Sequence, residues 1–542
     1  MTPTFVVFRC DASLQIGSGH VMRCRALARG LRRRGAEIVF LCRPQPGDLI
    51  ALLELEFRVL LLPAFSPDAT GLEKDDSFVS GRKLYSSWLG VSEEQDAQDS
   101  LAVLREQAQL PTPAWMVVDH YALGACWHKR LQEGLQLAHG TAPKILVLDD
   151  LADRHHQASV LMDANRLDST APDPYRDLLP GDCNTLLGPA YALLDPLYPQ
   201  LQPLLPTRVK IDRVLVFFGG TDAANHAAVA LDALSHARLR HLAVDVVLGI
   251  AAPHFVDLQR RVIQRPNTSL HVGLPSLAGL MARADLALGA AGTASWERTC
   301  LGLPSLVVPV AENQVQGARA LVAAGVARCL NLEAVLDPVA MLQVALLEIL
   351  DAPDALHAMS EACLQLGDGR GVARVVGALL GPAPGLRLRA AGSADLWLFH
   401  WWVSDPQVRS QSFNRDPISP EQHCRWFKGR LGSPLALLRV LEDGDGLPLG
   451  QIRFERGAAT DPRAVISFSL DRLARGRGLA SHLLQLGVKE LARCWGKRCK
   501  AYGEVLTDNP ASCRAFLRAG FLEGSPPRPG VRCFYKSAHV EP

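Results

Sequence analysis

Residues 8–35 read "FRCDASLQIGSGHVMRCRALARGLRRRG", an apolar strand that ends in Asp11, passes Gly17 and Gly19, and opens a helix on His20. Glycines in such a turn let a ligand approach the backbone. The start of a helix offers unpaired N–H groups suited to anions. Of the side chains, histidine is the best suited to taking a proton near neutral pH, and a positive helix end favours the neutral form that a base needs. A tight strand-to-helix turn with a hydrogen-bonded structural histidine would be spelled the same way.

Matching turns recur downstream. "FFGGTDAAN" places Gly219, Gly220 and Thr221 between a strand and a helix, where backbone N–H groups suit phosphate. "GAAGTASWERTCLGLP" sets Gly292, Thr293 and Ser295 at a helix start with Glu297 one turn in. Glu297 is either a capping residue or a carboxylate that accepts both hydroxyls of a ribose. "VPVAENQVQGARAL" puts Glu312, Asn313 and Gln314 just after a strand, as a turn and cap or as amides facing a cleft. Near the C-terminus, "RGRGLASHLLQL" starts a helix with Arg475, Gly476, Arg477, Gly478, Leu479 and Ala480, whose consecutive N–H groups suit a pyrophosphate. "AYGEVLTDNPASCRAFLRAGF" follows, with Asn509 ahead of a helix and Gly520-Phe521 after it.

The elements that must position these residues follow from the apolar rhythm. "TFVVFRC", "AEIVFLC", "AWMVVDH" and "KILVLDD" are buried parallel strands, each followed by polar or helical sequence. Prolines accumulate in "LLGPAYALLDPLYPQLQPLLPTR" (186–208), which reads as an interdomain linker. The rhythm restarts with "RVLVFFGG", "VDVVLG", "SLHVG", "ADLALGAAG" and "PSLVVPV", a second doubly wound α/β unit. Two such units form a cleft between strand C-termini. A second break, "LLGPAPGLRL" (379–388), precedes helical "DLWLFHWWVSDPQVRS" and "EQHCRWFKGRL". The strands "LALLRVLED", "LPLGQIRFERG" and "AVISFSLDR" come next, giving an α+β domain with a mainly antiparallel sheet. The expected domains are 1–195, 206–380 and 386–542.

Composition bounds the function. The chain has 542 residues, a net charge of +2, 48% hydrophobic and 21% charged residues, an ordinary globular balance that points to no nucleic-acid partner. Thirteen cysteines show no C-x-x-C pair or metal-ligand spacing, so neither a disulfide framework nor a metal is expected. With neither a signal peptide pattern nor an apolar run of about 20 residues, a cytoplasmic location is expected.

Taken in order, "RCDASLQIGSGHVMRCRALA", "WLGVSEEQDA", "VVDHYALG", "VLDDLADRHH", "LLGPAYALLDP", "GGTDAAN", "MARADLALGAAGTASWE", "AENQ" and "DGRGVARV" resemble the PseG family from residue 4 to about 378. These are UDP-2,4-diacetamido-2,4,6-trideoxy-β-L-altropyranose hydrolases of pseudaminic acid biosynthesis. The resemblance implies a GT-B fold related to MurG glycosyltransferases, with the sugar passed to water. It implies that His20 activates that water, that Glu297 binds the nucleotide ribose, and that Asn313 and Gln314 contact the sugar. It also makes Gly219, Gly220 and Thr221 the diphosphate loop. Asp11 is the expected orienting partner of His20 by its nearness in sequence. A glycosidase with two opposed carboxylates lacks motif support.

The "RGRGLA" and "TDNPASCRAFLRAGF" pair resembles GNAT acetyltransferases, which implies acetyl-CoA as co-substrate. "WWVSDPQVRSQSFNRDPISPEQHCRWF" and "LGQIRFE" more closely resemble PseH, over about 386–536, which implies acetylation of UDP-4-amino-4,6-dideoxy-β-L-AltNAc. Two departures stand out. "WVSDP" replaces the family's W-R-N-D-P, and Phe516 occupies the position of the usual acidic tyrosine, leaving Tyr502, Tyr535 or unaided departure of the thiolate. The alternatives are a glycosyltransferase fused to an acetyltransferase, the same steps on a legionaminic or bacillosamine-type sugar, and a UDP-sugar-binding regulator.

Overall fold

The computed structural model describes residues 3–64, 82–107, 109–167, 172–250 and 252–538. They fall into two compact units, Met1–Val375 and Val376–Pro542.

The first unit contains two parallel sheets. Strands β1 (Phe5–Cys10), β2 (Glu37–Cys42), β3 (Arg58–Leu61), β4 (Trp115–Asp119), β5 (Lys144–Leu148), β6 (Val160–Asp163) and β7 (Asn184–Leu187) form the first, in the order β3-β2-β1-β4-β5-β6-β7. The second contains β8 (Arg213–Phe217), β9 (Ala243–Leu248), β10 (Thr268–Val272), β11 (Leu286–Ala290), β12 (Ser305–Val308) and β13 (Ala327–Cys329), in the order β10-β9-β8-β11-β12-β13. Both sheets are doubly wound and covered by helices, so β1 and β4 are buried along their whole length, as their unbroken apolar runs require. Leu27 and Leu31 of the helix Gly19–Arg33 are wholly buried, while Arg32 and Arg33 remain exposed near its end. The short strands β3, β6, β7 and β13 carry too few residues to announce themselves by periodicity.

The proline-rich stretch 186–208 is built into the unit. Pro189–Tyr191 forms a 3-10 turn and Leu197–Leu201 a helix, with Tyr191, Leu193, Leu194 and Tyr198 buried. Prolines at the first helical positions fit because the N–H groups they lack have no intrahelical partner there.

The second unit has one mixed sheet: β14 (Arg387–Ala390), β15 (Ala436–Glu442), β16 (Pro448–Glu455), β17 (Arg463–Leu470), β18 (Lys500–Leu506), β19 (Leu522–Gly524) and β20 (Val531–Ser537). Its order is β14-β15-β16-β17-β18-β20-β19, and all pairs are antiparallel except β17 with β18. That parallel pair holds only where Arg463, Ala464 and Val465 face Lys500, Ala501 and Tyr502. Beyond this register, residues 466–470 and 503–506 part. The helices Leu396–Ser404 and Pro420–Leu431 pack Leu398, Phe399, Trp402 and Phe427 against Leu438 and Val440 of β15. These two units bear out the expected fold class. Among the described residues, no helix is long and apolar enough to cross a membrane.

Candidate active sites

Register explains the first site. In the β1–β4 pair, Cys10 lies beside Asp119, so both strands deliver their last residues to the same end of the sheet. The turn after β1 then brings His20 over β4. His20 Nδ1 is 2.5 Å from Asp119 Oδ1, and Arg23, one helical turn on, binds the same carboxylate at 2.6 and 2.7 Å. Burial disfavours charge on Asp119, but the Arg23 guanidinium and His20 outweigh it and hold the carboxyl well below its usual range. An ionised carboxylate only accepts hydrogen bonds, so the His20 Nδ1–H donates to it and Nε2 is left as the basic nitrogen. The His20 ring sits edge-on to Tyr121 at 4.7 Å, and Tyr85 and Trp88 of the helix Arg82–Leu89 pack around that ring.

Asp11 is not the partner of His20. Its carboxylate lies 2.7 Å from the Arg9 guanidinium and accepts the Arg43 backbone N–H at 2.8 Å. Arg9 and Arg43 are themselves buried on Asp96. Strand pairing, which nearness along the chain does not reveal, supplies Asp119 instead.

The second sheet brings its turns to the same place. A side chain at Gly19 would put a Cβ 2.7 Å from Thr293 Oγ1, so the two glycine turns meet backbone to side chain. Thr293 precedes the helix Ala294–Cys300. Ser295 is buried and its hydroxyl accepts from Arg298 at 2.8 Å, which supports the turn from within. Glu297 accepts a hydrogen bond from Tyr198, and burial, resisted by Tyr198 and Arg298, pushes its carboxyl up to about 7. No side chain caps this helix, so Glu297 does not close a capping box.

Around β8, Gly219 has a φ of +103°, and a Cβ at Gly219 or Gly220 would meet open space, so this loop is accessible to a ligand. The following helix, His226–Leu234, is not. Asp222 accepts from the N–H groups of His226 and Ala227 at 3.0 and 2.9 Å and fills its start. Gln314 folds back to accept from Val310 N–H at 3.2 Å, and its Nε2 would lie 3.4 Å from a Cβ at Gly292. Asn313 begins the helix Asn313–Ala323, and Glu312 stands exposed before it. Asp119, Arg23 and the Tyr85, Trp88 and Tyr121 rings are the residues that reading the turns alone missed. The motif "VVDHYALG" contained two of them.

In the second unit, Gly476 and Gly478 have φ of +73° and +74°, which point successive N–H groups outward ahead of the helix Leu479–Trp495. That helix start carries no side-chain cap, and a Cβ at Gly478 would meet nothing. Arg477 is exposed beside it, and Leu479 and Ala480 form the first turn. Arg475 is committed elsewhere: its guanidinium bonds Asp405, Gln407 and the Leu470 carbonyl. Asn509 caps the helix Pro510–Arg518 by accepting from Ser512 N–H at 3.0 Å, so its carbonyl oxygen serves the fold. Phe516 is buried, stacks on Phe534 at 5.1 Å and meets Phe468 and Phe521 edge-on. Tyr502 faces the Arg463 guanidinium at 3.8 Å, and burial with the neighbouring Glu504 pushes its phenol up to about 12. Tyr535 is its cross-strand neighbour.

Residues 385–522 match the family model for the Acetyltransferase (GNAT) domain. This segment is a GNAT acetyltransferase domain. Over 118 residues it is 29% identical to "Putative phosphinothricin acetyltransferase YwnH" of Bacillus subtilis (strain 168), a match covering 21% of this chain and 70% of that protein. Among solved structures, spermidine N-acetyltransferase from Vibrio cholerae in complex with CoA and spermine aligns at 19% identity and a TM-score of 0.26, covering 28% of this chain and 95% of its own. MurG of Acinetobacter baumannii aligns at 15% identity and a TM-score of 0.44, covering 69% and 98%. Among the described residues, no group of three His, Cys, Asp or Glu side chains is arranged to hold a metal ion.

Proposed function

We propose that this chain is a bifunctional nucleotide-sugar enzyme of pseudaminic acid biosynthesis, with domains at 1–195, 206–380 and 386–542. The GNAT domain acetylates the 4-amine of UDP-4-amino-4,6-dideoxy-β-L-AltNAc from acetyl-CoA. The first two domains then hydrolyse UDP-2,4-diacetamido-2,4,6-trideoxy-β-L-altropyranose to free sugar and UDP. The observation that carries the hydrolase reading is the His20–Asp119 pair, set on the turn whose Gly19 meets Thr293 of the second sheet.

In this reading His20 Nε2 takes a proton from the water that attacks C1, while Asp119 fixes the imidazole tautomer and stabilises the charge that develops. The C1–O bond to UDP breaks with inversion. UDP is a weak base and needs no protein acid, and the backbone N–H groups of 219–221 receive its growing charge. Glu297 holds the ribose, with Asn313 and Gln314 on the sugar side.

In the GNAT domain, the turn 476–480 holds the pyrophosphate of acetyl-CoA. The acceptor amine, after its ammonium proton is lost to solvent, attacks the thioester carbonyl. The C–S bond breaks, the CoA thiolate leaves, and the new amide nitrogen sheds a second proton to solvent. Tyr502 keeps its proton at neutral pH and is the candidate donor, because the Phe516 ring has none.

Incubation of the full chain with the 4-amino UDP-sugar, acetyl-CoA and water alone, followed by mass spectrometry and NMR of the products, tests the proposal. Acetylated UDP-sugar followed by UDP and free sugar supports it. Acetylation without UDP release, with release restored by a sugar acceptor, replaces the hydrolase with a glycosyltransferase.

A further inference from the structure

One side chain joins the two sheets of the first unit at the level of the site. Asn165 lies just beyond β6 in the first sheet, and its neighbours Ala164 and Leu167 pack into the core around Trp296, on the helix Ala294–Cys300 of the second. Asn165 Oδ1 accepts from Trp296 Nε1 at 2.9 Å, while Asn165 Nδ2 donates to Asp150 Oδ2 at 3.0 Å. The amide orientation follows from chemistry, since an indole N–H only donates and a carboxylate only accepts. A third bond, Asn165 N–H to Asp163 Oδ1 at 2.7 Å, fixes the backbone.

The chain of contacts continues to the dyad. The same Asp150 Oδ2 is 3.5 Å from Arg23 Nη1, and Arg23 holds the Asp119 carboxylate that aligns His20. At the other end, Trp296 is followed by Glu297. The segment carrying Glu297 therefore reaches the His20 helix by two routes: through Thr293 at Gly19, and through Asn165 and Asp150 to Arg23. Both Asn165 polar atoms are needed, and neither an alkyl nor a carboxylate side chain supplies both.

We propose that Asn165 is a positioning residue for hydrolysis, passing nucleotide contact at the Trp296–Glu297 helix through Asp150 and Arg23 to the carboxylate that holds His20. This rests on the nucleotide-sugar reading above. Nucleotide that draws on Glu297 shifts Trp296, and the amide carries that shift into the Asp150–Arg23 pair, which has two groups to share.

The test uses the full chain with UDP as the probe and follows the low-field proton resonance of His20 Nδ1–H, identified by its loss in His20→Ala. Calorimetry first measures UDP binding. UDP should shift the resonance in the unaltered protein. In Asn165→Ala, and in Trp296→Phe, which keeps an aromatic ring and removes the donor, the resonance should persist but no longer move. UDP affinity should stay within about threefold, and kcat for hydrolysis should fall tenfold to a hundredfold, on the order expected for a sub-ångström misplacement. KM should change little, and the double variant should lose no more than the worse single. An equal UDP-induced shift in the variants, or unchanged kcat, overturns the inference. UDP binding without hydrolysis overturns the hydrolase reading and leaves the resonance to judge Asn165. A chain that does not bind UDP overturns both.

Discussion

His20 Nδ1 and Asp119 Oδ1, 99 residues apart in sequence, lie 2.5 Å from one another, and Arg23 grips both oxygens of the same carboxylate. This makes His20 a donor at Nδ1 and an acceptor at Nε2. His20→Ala should lower hydrolysis by about 10² or more, the scale of general-base loss. Asp119→Asn should cost about a thousandfold, because an amide there can stabilise the wrong tautomer. Acetylation, measured by CoA release in the same preparations, should be retained. Near-normal UDP release by folded His20→Ala removes His20 from the chemistry.

Glu297 gives a pH dependence with a definite sign. Burial raises its carboxyl from 4.5 to about 7, so between those values the folded state holds a proton that the unfolded state has lost. Stability falls with rising pH wherever the folded state binds more protons. Glu297→Gln removes the effect. Thermal melts without ligand should show the variant gaining on the unaltered protein from pH 4.5 to 7, with a constant difference above that. A difference independent of pH would mean that Glu297 is charged in the folded protein throughout.

How much of this was written in the sequence depends on distance along it. The glycine turns and long apolar strands were legible because each is spelled within ten residues. The partner of His20 was not: Asp11 is nine residues away and Asp119 ninety-nine, and only the adjacency of β1 and β4 decides between them. Arg9 illustrates the same limit, being a strand arginine fully buried because Asp96, 87 residues on, joins the neighbouring Asp11 in pairing with it. Asn509 and Arg475 sat in the right motifs, yet one caps a helix and the other bonds Asp405, uses that a motif does not distinguish from ligand binding.

Gly478 separates shape from charge in the turn proposed to hold the pyrophosphate. Its φ of +74° strains an ordinary side chain by about 1 kcal/mol, whereas asparagine tolerates that region. Gly478→Asn should therefore fold normally and weaken acetyl-CoA modestly. Gly478→Glu, which adds a negative charge where phosphate approaches the backbone, should abolish acetyl-CoA binding in calorimetry. Hydrolysis of the already acetylated sugar should continue in both. Retained affinity in Gly478→Glu would move the CoA site elsewhere.

The Phe516 ring occupies space that a Cβ at Gly503 would overlap, so the two residues are fitted to one another. Gly503→Ala should destabilise the GNAT domain by about 1–3 kcal/mol, the usual cost of overpacking, visible as a lower melting temperature. Tyr502→Phe should leave melting nearly unchanged and slow acetylation, most at high pH where a donor is scarcest. If acetylation by Tyr502→Phe is normal across the pH range, the thiolate leaves unaided.

In the proposed function, the order of the two reactions follows from charge. Before acetylation the 4-position carries an amine that is protonated at neutral pH, and afterwards a neutral amide. A hydrolase site fitted to the amide must desolvate an ammonium to accept the precursor, at a cost of a few kcal/mol if no carboxylate pairs with it. The full chain given the 4-amino UDP-sugar without acetyl-CoA should therefore release UDP slowly. Addition of acetyl-CoA should produce acetylated UDP-sugar first, with UDP and free diacetamido sugar appearing after a lag. Gly478→Glu should stop this sequence at the amine, and His20→Ala should stop it at the acetylated UDP-sugar. If UDP appears first and the free amino sugar is acetylated afterwards, the reactions run in the opposite order.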